Sequence, residues 1–237
     1  MKLQNIEVIL FDSGKVLNAP QSGHWFLSPN FFDYVNKSTF ENISIEKRNR
    51  AFSKAGDYIN SIAMIKTKEE EFEHFRKYYD IFSKALPELQ LQDEAVNGMA
   101  KDLVYNTEKY KFFEDAIHVI PILYNKYKLA VVSDAWPSLK DVFVNAGFDS
   151  YFSSFVISSV IGVTKPNEKM YLSALNEINV SPNKAVFIDD NLKNCLGAKK
   201  LGIKAVLLCR DKKYFVVQKI LSIGKGYKVI HSLKELL

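Results

Sequence analysis

Ile6-Glu7-Val8-Ile9-Leu10-Phe11-Asp12-Ser13-Gly14-Lys15-Val16-Leu17 is an apolar run that stops abruptly at an acid. Its branched and aromatic residues read as a buried strand, and Asp12-Ser13-Gly14-Lys15 reads as the loop at the strand's C-terminal end. Open α/β sheets bind ligands outside the carboxyl ends of their strands, so Asp12 stands where a carboxylate can meet a substrate. Two later stretches repeat the form: Lys128-Leu129-Ala130-Val131-Val132-Ser133-Asp134 and Lys184-Ala185-Val186-Phe187-Ile188-Asp189-Asp190.

Around these strands the hydrophobic period changes. Beyond Leu17 it becomes helical: Ser28-Pro29 reads as a helix start with Phe31, Phe32 and Val35 on its apolar side, and Ser44 reads as the next cap. Thr67-Lys68-Glu69-Glu70 has the form of a capping box ahead of Phe72, Phe75, Tyr79, Phe82 and Leu86, and Asp93 starts a fourth helix carrying Val96, Met99 and Leu103. From Phe112 strands and helices alternate again. A helical face at Ala116, Val119, Ile120 and Leu123 contains Pro121, which must lie in a first turn or kink the helix. Further strands fall at Phe155–Ile157, Ala205–Leu208 and Tyr227–Ile230, with helices stopped by Gly147 and Gly202. The expected fold is α/β, a Rossmann-like parallel sheet with helices on both faces and right-handed crossovers, formed by residues 1–17 and 110–237. Residues 18–109 form an all-helical insertion, a cap domain with its own aromatic core.

Composition narrows the classes. With 32 basic and 27 acidic residues the net charge is +5, dispersed among mixed Lys/Glu segments, which favours small anions and gives no basic block for nucleic acid. Cys195 and Cys209 make neither a C-x-x-C pair nor a His/Cys cluster, so no zinc site or disulfide framework is expected. Met1-Lys2 leads straight into a strand bearing acids, unlike a signal peptide, and no apolar run approaches the roughly 20 residues a membrane helix needs. A soluble, cytoplasmic protein without membrane partners is the expectation.

Asp12, Ser133, Lys165 and the Asp189-Asp190 pair all lie where a strand ends or a helix is about to start, so a parallel sheet brings them to one edge. Three carboxylates in one crevice repel unless cations neutralise them. Mg2+ answers that need, since it takes one or two carboxylates with backbone oxygens, water and substrate phosphate; Lys165 adds a second positive group. These parts suggest phosphoryl transfer by carboxylate attack on phosphorus, followed by hydrolysis of the aspartyl-phosphate. Single acids after strands also serve as helix caps, but a cap does not call for Asp12, Lys165 and the pair together.

The order and spacing of four motifs resemble the haloacid dehalogenase-like hydrolases: strand-Asp12-x-x-x-Val16-Leu17, strand-Ser133, Lys165-Pro166, and strand-Asp189-Asp190 with Asn194 and Gly197-Ala198. The helical insertion falls where that family carries its cap. The resemblance implies Asp12 as nucleophile and metal ligand, the Gly14 carbonyl as a second ligand, Asp190 on Mg2+ directly and Asp189 beside it or through water. It implies Ser133 holding the phosphoryl group and Lys165 neutralising Asp12 and phosphate, while Asp134 stands where relatives often have asparagine. Phosphatases of this family usually place a second aspartate two residues after the nucleophile; here that position is Gly14, which cannot donate a proton. Lys15 and His24 are candidate substitutes, and His24 and Trp25, just past the loop where the insertion joins, are candidates for substrate binding.

The expected activity is Mg2+-dependent hydrolysis of a small phosphorylated metabolite. Two alternatives stand beside it: a dehalogenase, whose aspartate attacks carbon without metal and gains nothing from Asp189-Asp190, and a non-catalytic phosphate-binding or regulatory protein of the same fold, favoured by Gly14 and Asp134.

Overall fold

The computed structural model describes residues 4–237, so Met1 and Lys2, read above as leading into the first strand, lie outside the described residues. The chain divides into two compact units. One comprises the chain up to Ala19, Lys111–Ala135 and Ala146–Leu237; the other comprises Pro20–Tyr110 and Trp136–Asn145.

In chain order, β1 (Val8–Phe11) and β2 (Asn18–Pro20) are followed by α1 (Phe31–Tyr34), α2 (Lys37–Asn42), α3 (Ile45–Ser61), α4 (Lys68–Ala85) and α5 (Asp93–Tyr105). Next come β3 (Tyr110–Phe112), α6 (Glu114–Tyr124), β4 (Lys128–Ser133), α7 (Leu139–Asn145), β5 (Ser154–Ile157), α8 (Ser158–Ile161) and α9 (Glu168–Ile178). The chain ends with β6 (Ala185–Asp189), α10 (Leu192–Lys200), β7 (Lys204–Leu208), α11 (Lys212–Leu221) and β8 (Lys228–Ile230). Among the described residues six strands form a sheet in the order β5-β4-β1-β6-β7-β8, every pair parallel, while β2 and β3 form a separate two-stranded sheet.

All four residues of β1 are buried, as a strand paired on both edges and covered on both faces requires. Val8 and Leu10 pack with Ala130, Val132, Phe187, Met170 and Tyr171, so α9 covers that part of the sheet. The strand order reverses about β1, because β4 lies on one side of it and β6 on the other. Such a switch point opens a crevice at the C-terminal edge.

The helical unit has its own core, built from Phe31, Phe40, Phe75, Tyr78, Tyr79, Phe82, Leu86, Met99 and Leu103 with Phe26 and Trp136 packed against it. The first helix begins later than Ser28-Pro29 suggests. Asn30 precedes Phe31 and gives its N–H to Asp102 Oδ2 (2.7 Å), while Ser28 is buried and Phe32 is exposed. Thr67 caps α4 by accepting from the Glu70 N–H at 3.2 Å, but the Glu70 carboxylate turns to the Lys66 N–H (2.7 Å), so only half of a capping box forms. Pro121 lies inside α6; the carbonyl it leaves without a helical donor belongs to Ile117, which is exposed and can be hydrated.

Candidate active site

The sheet register delivers the acids. Phe11 is level with Val131 on β4 and with Ile188 on β6, so the next residues of the three strands emerge side by side. Asp12 continues the pairing by one bond, its N–H donating to the Ile188 carbonyl at 2.9 Å. One carboxylate oxygen each from Asp12, Asp189 and Asp190 lies within 4.8 Å of the others.

Lys165, 6 % exposed, is the buried cation among them. Its Nζ lies 2.7 Å from Asp12 Oδ1 and 2.9 Å from Asp189 Oδ2, and donates to the Val132 carbonyl at 3.0 Å. Burial acts to lower its pKa, but Asp12 and Asp189 outweigh it and hold the ammonium above the usual lysine range. Burial together with the neighbouring Asp12 pushes Asp189 up to about 7, and the same two causes raise Asp190. Burial is the larger cause in both, with the crowded negative charge of Asp12 second.

The two adjacent aspartates differ in their surroundings. Asp189 is fully buried and accepts from Lys165 Nζ, from Asn194 Nδ2 (3.1 Å) and from the Asn191 N–H (2.7 Å), so its oxygens are largely committed. Asp190 has a side chain 30 % exposed, with Lys15 Nζ 3.9 Å from its Oδ2. Asp190 is therefore the carboxylate better able to reach an external cation. The donor set is all oxygen, the chemistry of a hard divalent ion.

Ser133 is buried as the last residue of β4. Asp134 accepts the Lys165 backbone N–H on Oδ1 at 2.9 Å, which fixes the lysine's main chain; burial raises its pKa against the pull of Lys165. Gly197 on α10 lets the Lys165-Pro166 turn approach closely: a Cβ there would lie 2.4 Å from Pro166 Cβ.

The loop after Asp12 is a tight turn. The Ser13 carbonyl accepts from the N–H groups of Leu17 (2.8 Å) and Asn18 (3.1 Å), Asn18 Nδ2 donates to Ser13 Oγ (2.8 Å), and Lys15 adopts φ +58°. Arg210, two residues beyond β7, clamps this turn from outside. Its Nε donates to the Lys15 carbonyl (3.0 Å) and its Nη2 to the Val16 carbonyl (2.7 Å), while the guanidinium pairs with Asp115 and stacks 3.8 Å from the Phe113 ring centroid. Nothing in the reading of the sequence singled out Arg210, although a charged residue just past a strand end was the one signal it shared with the acids.

The structure thus brings Asp12, Asp134, Lys165, Asp189, Asp190 and Lys15 together. His24 and Trp25 belong to the helical unit. There the His24 ring packs on Phe52 at 4.7 Å and its Nδ1 accepts the Phe26 N–H at 3.2 Å, with burial lowering its pKa; Trp25 lies edge-on to Tyr110 at 5.2 Å. Both side chains are half-buried, packed on one side within their own unit.

A family model described as haloacid dehalogenase-like hydrolase matches residues 30–208, a span that contains Ser133, Lys165 and Asp189-Asp190. The chain belongs to that family. Among its relatives, a glyceraldehyde 3-phosphate phosphatase of Methanopyrus kandleri is 29% identical over 149 residues, covering 57% of this chain and 60% of the relative. The match thus spans less than two thirds of that curated relative. Solved structures of a HAD phosphatase from Thermococcus onnurineus (21% identical) and of the L-2-haloacid dehalogenase of Xanthobacter autotrophicus (17%) each superpose with a TM-score of 0.64, covering 98% of this chain and 96% of the other. At those identities the likeness is one of fold.

Proposed function

We propose that this family member is a Mg2+-dependent phosphohydrolase acting on a small phosphorylated metabolite. The observation that carries the reading is the charge arrangement around Asp12: one buried lysine shared with Asp189, and a third carboxylate, Asp190, within reach of the same point. Displacing halide from carbon calls for an aspartate nucleophile and no metal, and Asp189 could fix Lys165 in either chemistry, so it is the third acid, Asp190, that lacks a use in a dehalogenase. Metal-assisted transfer of a multiply charged phosphoryl group gives it one. The phosphatase relative supports the same choice.

In this reading Asp12, Asp190 and the Gly14 carbonyl hold Mg2+, and Asp189 fixes Lys165 rather than serving as the main ligand. The ion supplies positive charge opposite the phosphoryl oxygens when bound. Asp12 Oδ attacks phosphorus, the bond to the ester oxygen breaks, and water then cleaves the aspartyl-phosphate to release inorganic phosphate and regenerate the carboxylate. Ser133 and Lys165 orient and neutralise the transferring oxygens. Since Gly14 offers no acid, the departing oxygen takes its proton from solvent or leaves as a good leaving group, and the missing general acid costs about 10²–10⁴-fold in rate on poor leaving groups. The helical unit is inserted after the first motif, the place in the sequence where this family carries its cap.

Phosphate release should be measured across three-carbon phosphates, sugar phosphates and phosphoserine, beside halide release from 2-chloropropionate, with Asp12→Asn as control. Asp12-dependent phosphate release that a chelator abolishes is the expected result. Halide release that survives the chelator would make the protein a dehalogenase, and equal inertness of wild type and variant would make it a binding protein.

A further inference from the structure

Among the described residues no helix is long and apolar enough to cross a membrane, yet one helix presents an apolar face to solvent. In α11 Gln218 is buried and Phe215 half-buried, Lys219 Nζ reaches back to the Val229 carbonyl (3.3 Å), and the side-chain Oε1 of Gln218 is buried without a hydrogen-bond partner among the described residues. Meanwhile Val216, Val217, Ile220 and Leu221 are 52–64 % exposed, and Ile223 in the following turn is 77 % exposed. Burying an unsatisfied amide while exposing branched aliphatics reverses the usual arrangement of a surface helix. The exposed face is thus made for something other than water.

Charge indicates what that is. Residues 212–228 contain Lys212, Lys213, Lys219, Lys225 and Lys228 and no Asp or Glu, leaving 27 basic and 27 acidic side chains in the rest of the chain. The whole net charge of the protein is therefore contained in the segment that carries the apolar face. Lys199 adds to it, its Nζ donating to the Lys225 carbonyl at 2.5 Å. The one acid at the helix start, Asp211, is occupied as the N-cap, accepting the Tyr214 N–H at 2.7 Å.

We propose that α11 and the turn after it dock the protein on an anionic membrane surface, the aliphatic side chains entering the headgroup boundary and the lysines meeting acidic lipid. A second copy of this chain is the poorer occupant, because a two-fold contact through α11 would set two sets of five lysines against each other. The composition also differs from that of a protein interface, where Arg, Trp and Tyr are enriched and Lys and Val are depleted. Exposed Val, Ile and Leu among lysines match an interfacial helix.

The test is co-sedimentation of the full chain with phosphatidylcholine vesicles and with vesicles containing 30 mol % phosphatidylglycerol, at about 50 and 150 mM salt. Two variants accompany it, Val217→Ser/Ile220→Ser/Ile223→Ser and Lys212→Gln/Lys213→Gln/Lys225→Gln, all at exposed positions outside the candidate site. Binding to the anionic vesicles only, weakened by salt and reduced about a hundred-fold by the lysine variant, is the expected result. Loss of binding in the aliphatic variant at unchanged melting temperature would show that the patch itself inserts. Absence of anionic-vesicle binding, or binding insensitive to both variants, overturns the proposal. So does a concentration-dependent dimer, or an acidic protein partner, that the same variants abolish without any vesicle binding. None of these outcomes bears on phosphate release, which is measured on soluble substrates.

Discussion

Lys165 and Asp12 are in contact, yet they carry different burdens. The lysine is the only positive side chain within 4 Å of both Asp12 and Asp189 among the described residues, and it is buried. Replacing it with glutamine leaves two buried carboxylates facing each other without a counter-charge, a loss that costs about 3–5 kcal/mol when one partner of a buried pair is removed. Asp12→Asn instead removes one of the crowded negative charges and leaves Lys165 paired with Asp189. Urea unfolding of the two variants should therefore separate: Lys165→Gln destabilised by about 3–5 kcal/mol, Asp12→Asn within about 1 kcal/mol of wild type, both without phosphatase activity. Equal destabilisation would mean that the lysine's charge is not what holds the acids together. The acids themselves were legible in the sequence, since a buried run that ends in a carboxylate has few other uses. The unequal surroundings of Asp189 and Asp190 were not, because they depend on Asn191, Asn194 and Lys165 folding back onto one of the two.

At the scale of elements, the turn after β1 is held by a network that joins α6 and the end of the chain. Arg210 binds the Lys15 and Val16 carbonyls and pairs with Asp115 at the start of α6, and Asp115 also accepts from Ser232 Oγ (2.8 Å) and the Leu233 N–H (2.9 Å). Burial acts to raise the Asp115 pKa, but Arg210, the Leu233 N–H and Ser232 together bring it below the ordinary carboxylate value. A depressed folded-state pKa gives stability that is present above the unfolded value, about 3.9, and is lost as pH falls through the folded one. Asp115→Asn should thus be less stable than wild type by about 2–3 kcal/mol near neutrality, with the gap closing below about pH 4. Denaturant titrations at both pH values check this, and a gap independent of pH would assign the loss to packing. The six strands of the parallel sheet were readable from burial runs and turn residues; their order, and the short β2–β3 pair, were not. This network was not, for its members lie as much as 195 positions apart and each, taken alone, reads as a solvated side chain. The late start of α1 has a similar cause: Asp102, distant in sequence, supplies the acceptor that Ser28 seemed placed to supply.

For the whole molecule, the chain passes between its two units at four places, and the ten residues Trp136–Asn145 belong to the helical unit although sheet-unit sequence flanks them on both sides. That membership was invisible in the sequence, where the segment reads as one more crossover helix. What binds it is a buried polar cluster within the helical unit. Glu71 accepts the Ser138 N–H at 2.8 Å and the Ser138 hydroxyl, Lys109 Nζ donates to Ser138 Oγ and to the Leu103 carbonyl (2.9 Å), and Lys109 and Glu71 lie 3.9 Å apart. Burial raises the Glu71 pKa and lowers that of Lys109, so each charge depends on the other to remain in the interior. Trp136 completes the attachment, edge-on to Phe75 at 5.0 Å. Glu71→Gln keeps the side chain's shape but leaves Lys109 buried without a counter-charge and gives Ser138 one acceptor in place of two. Native-state hydrogen exchange should then show amides of residues 136–145 and of α4 opening about 100-fold faster or more, as the loss of about 3–5 kcal/mol from a buried pair requires, with β1 and β6 keeping their protection. If exchange accelerates equally in the sheet strands, the two units unfold as one, and the cluster is a support of the entire protein rather than of the helical unit alone.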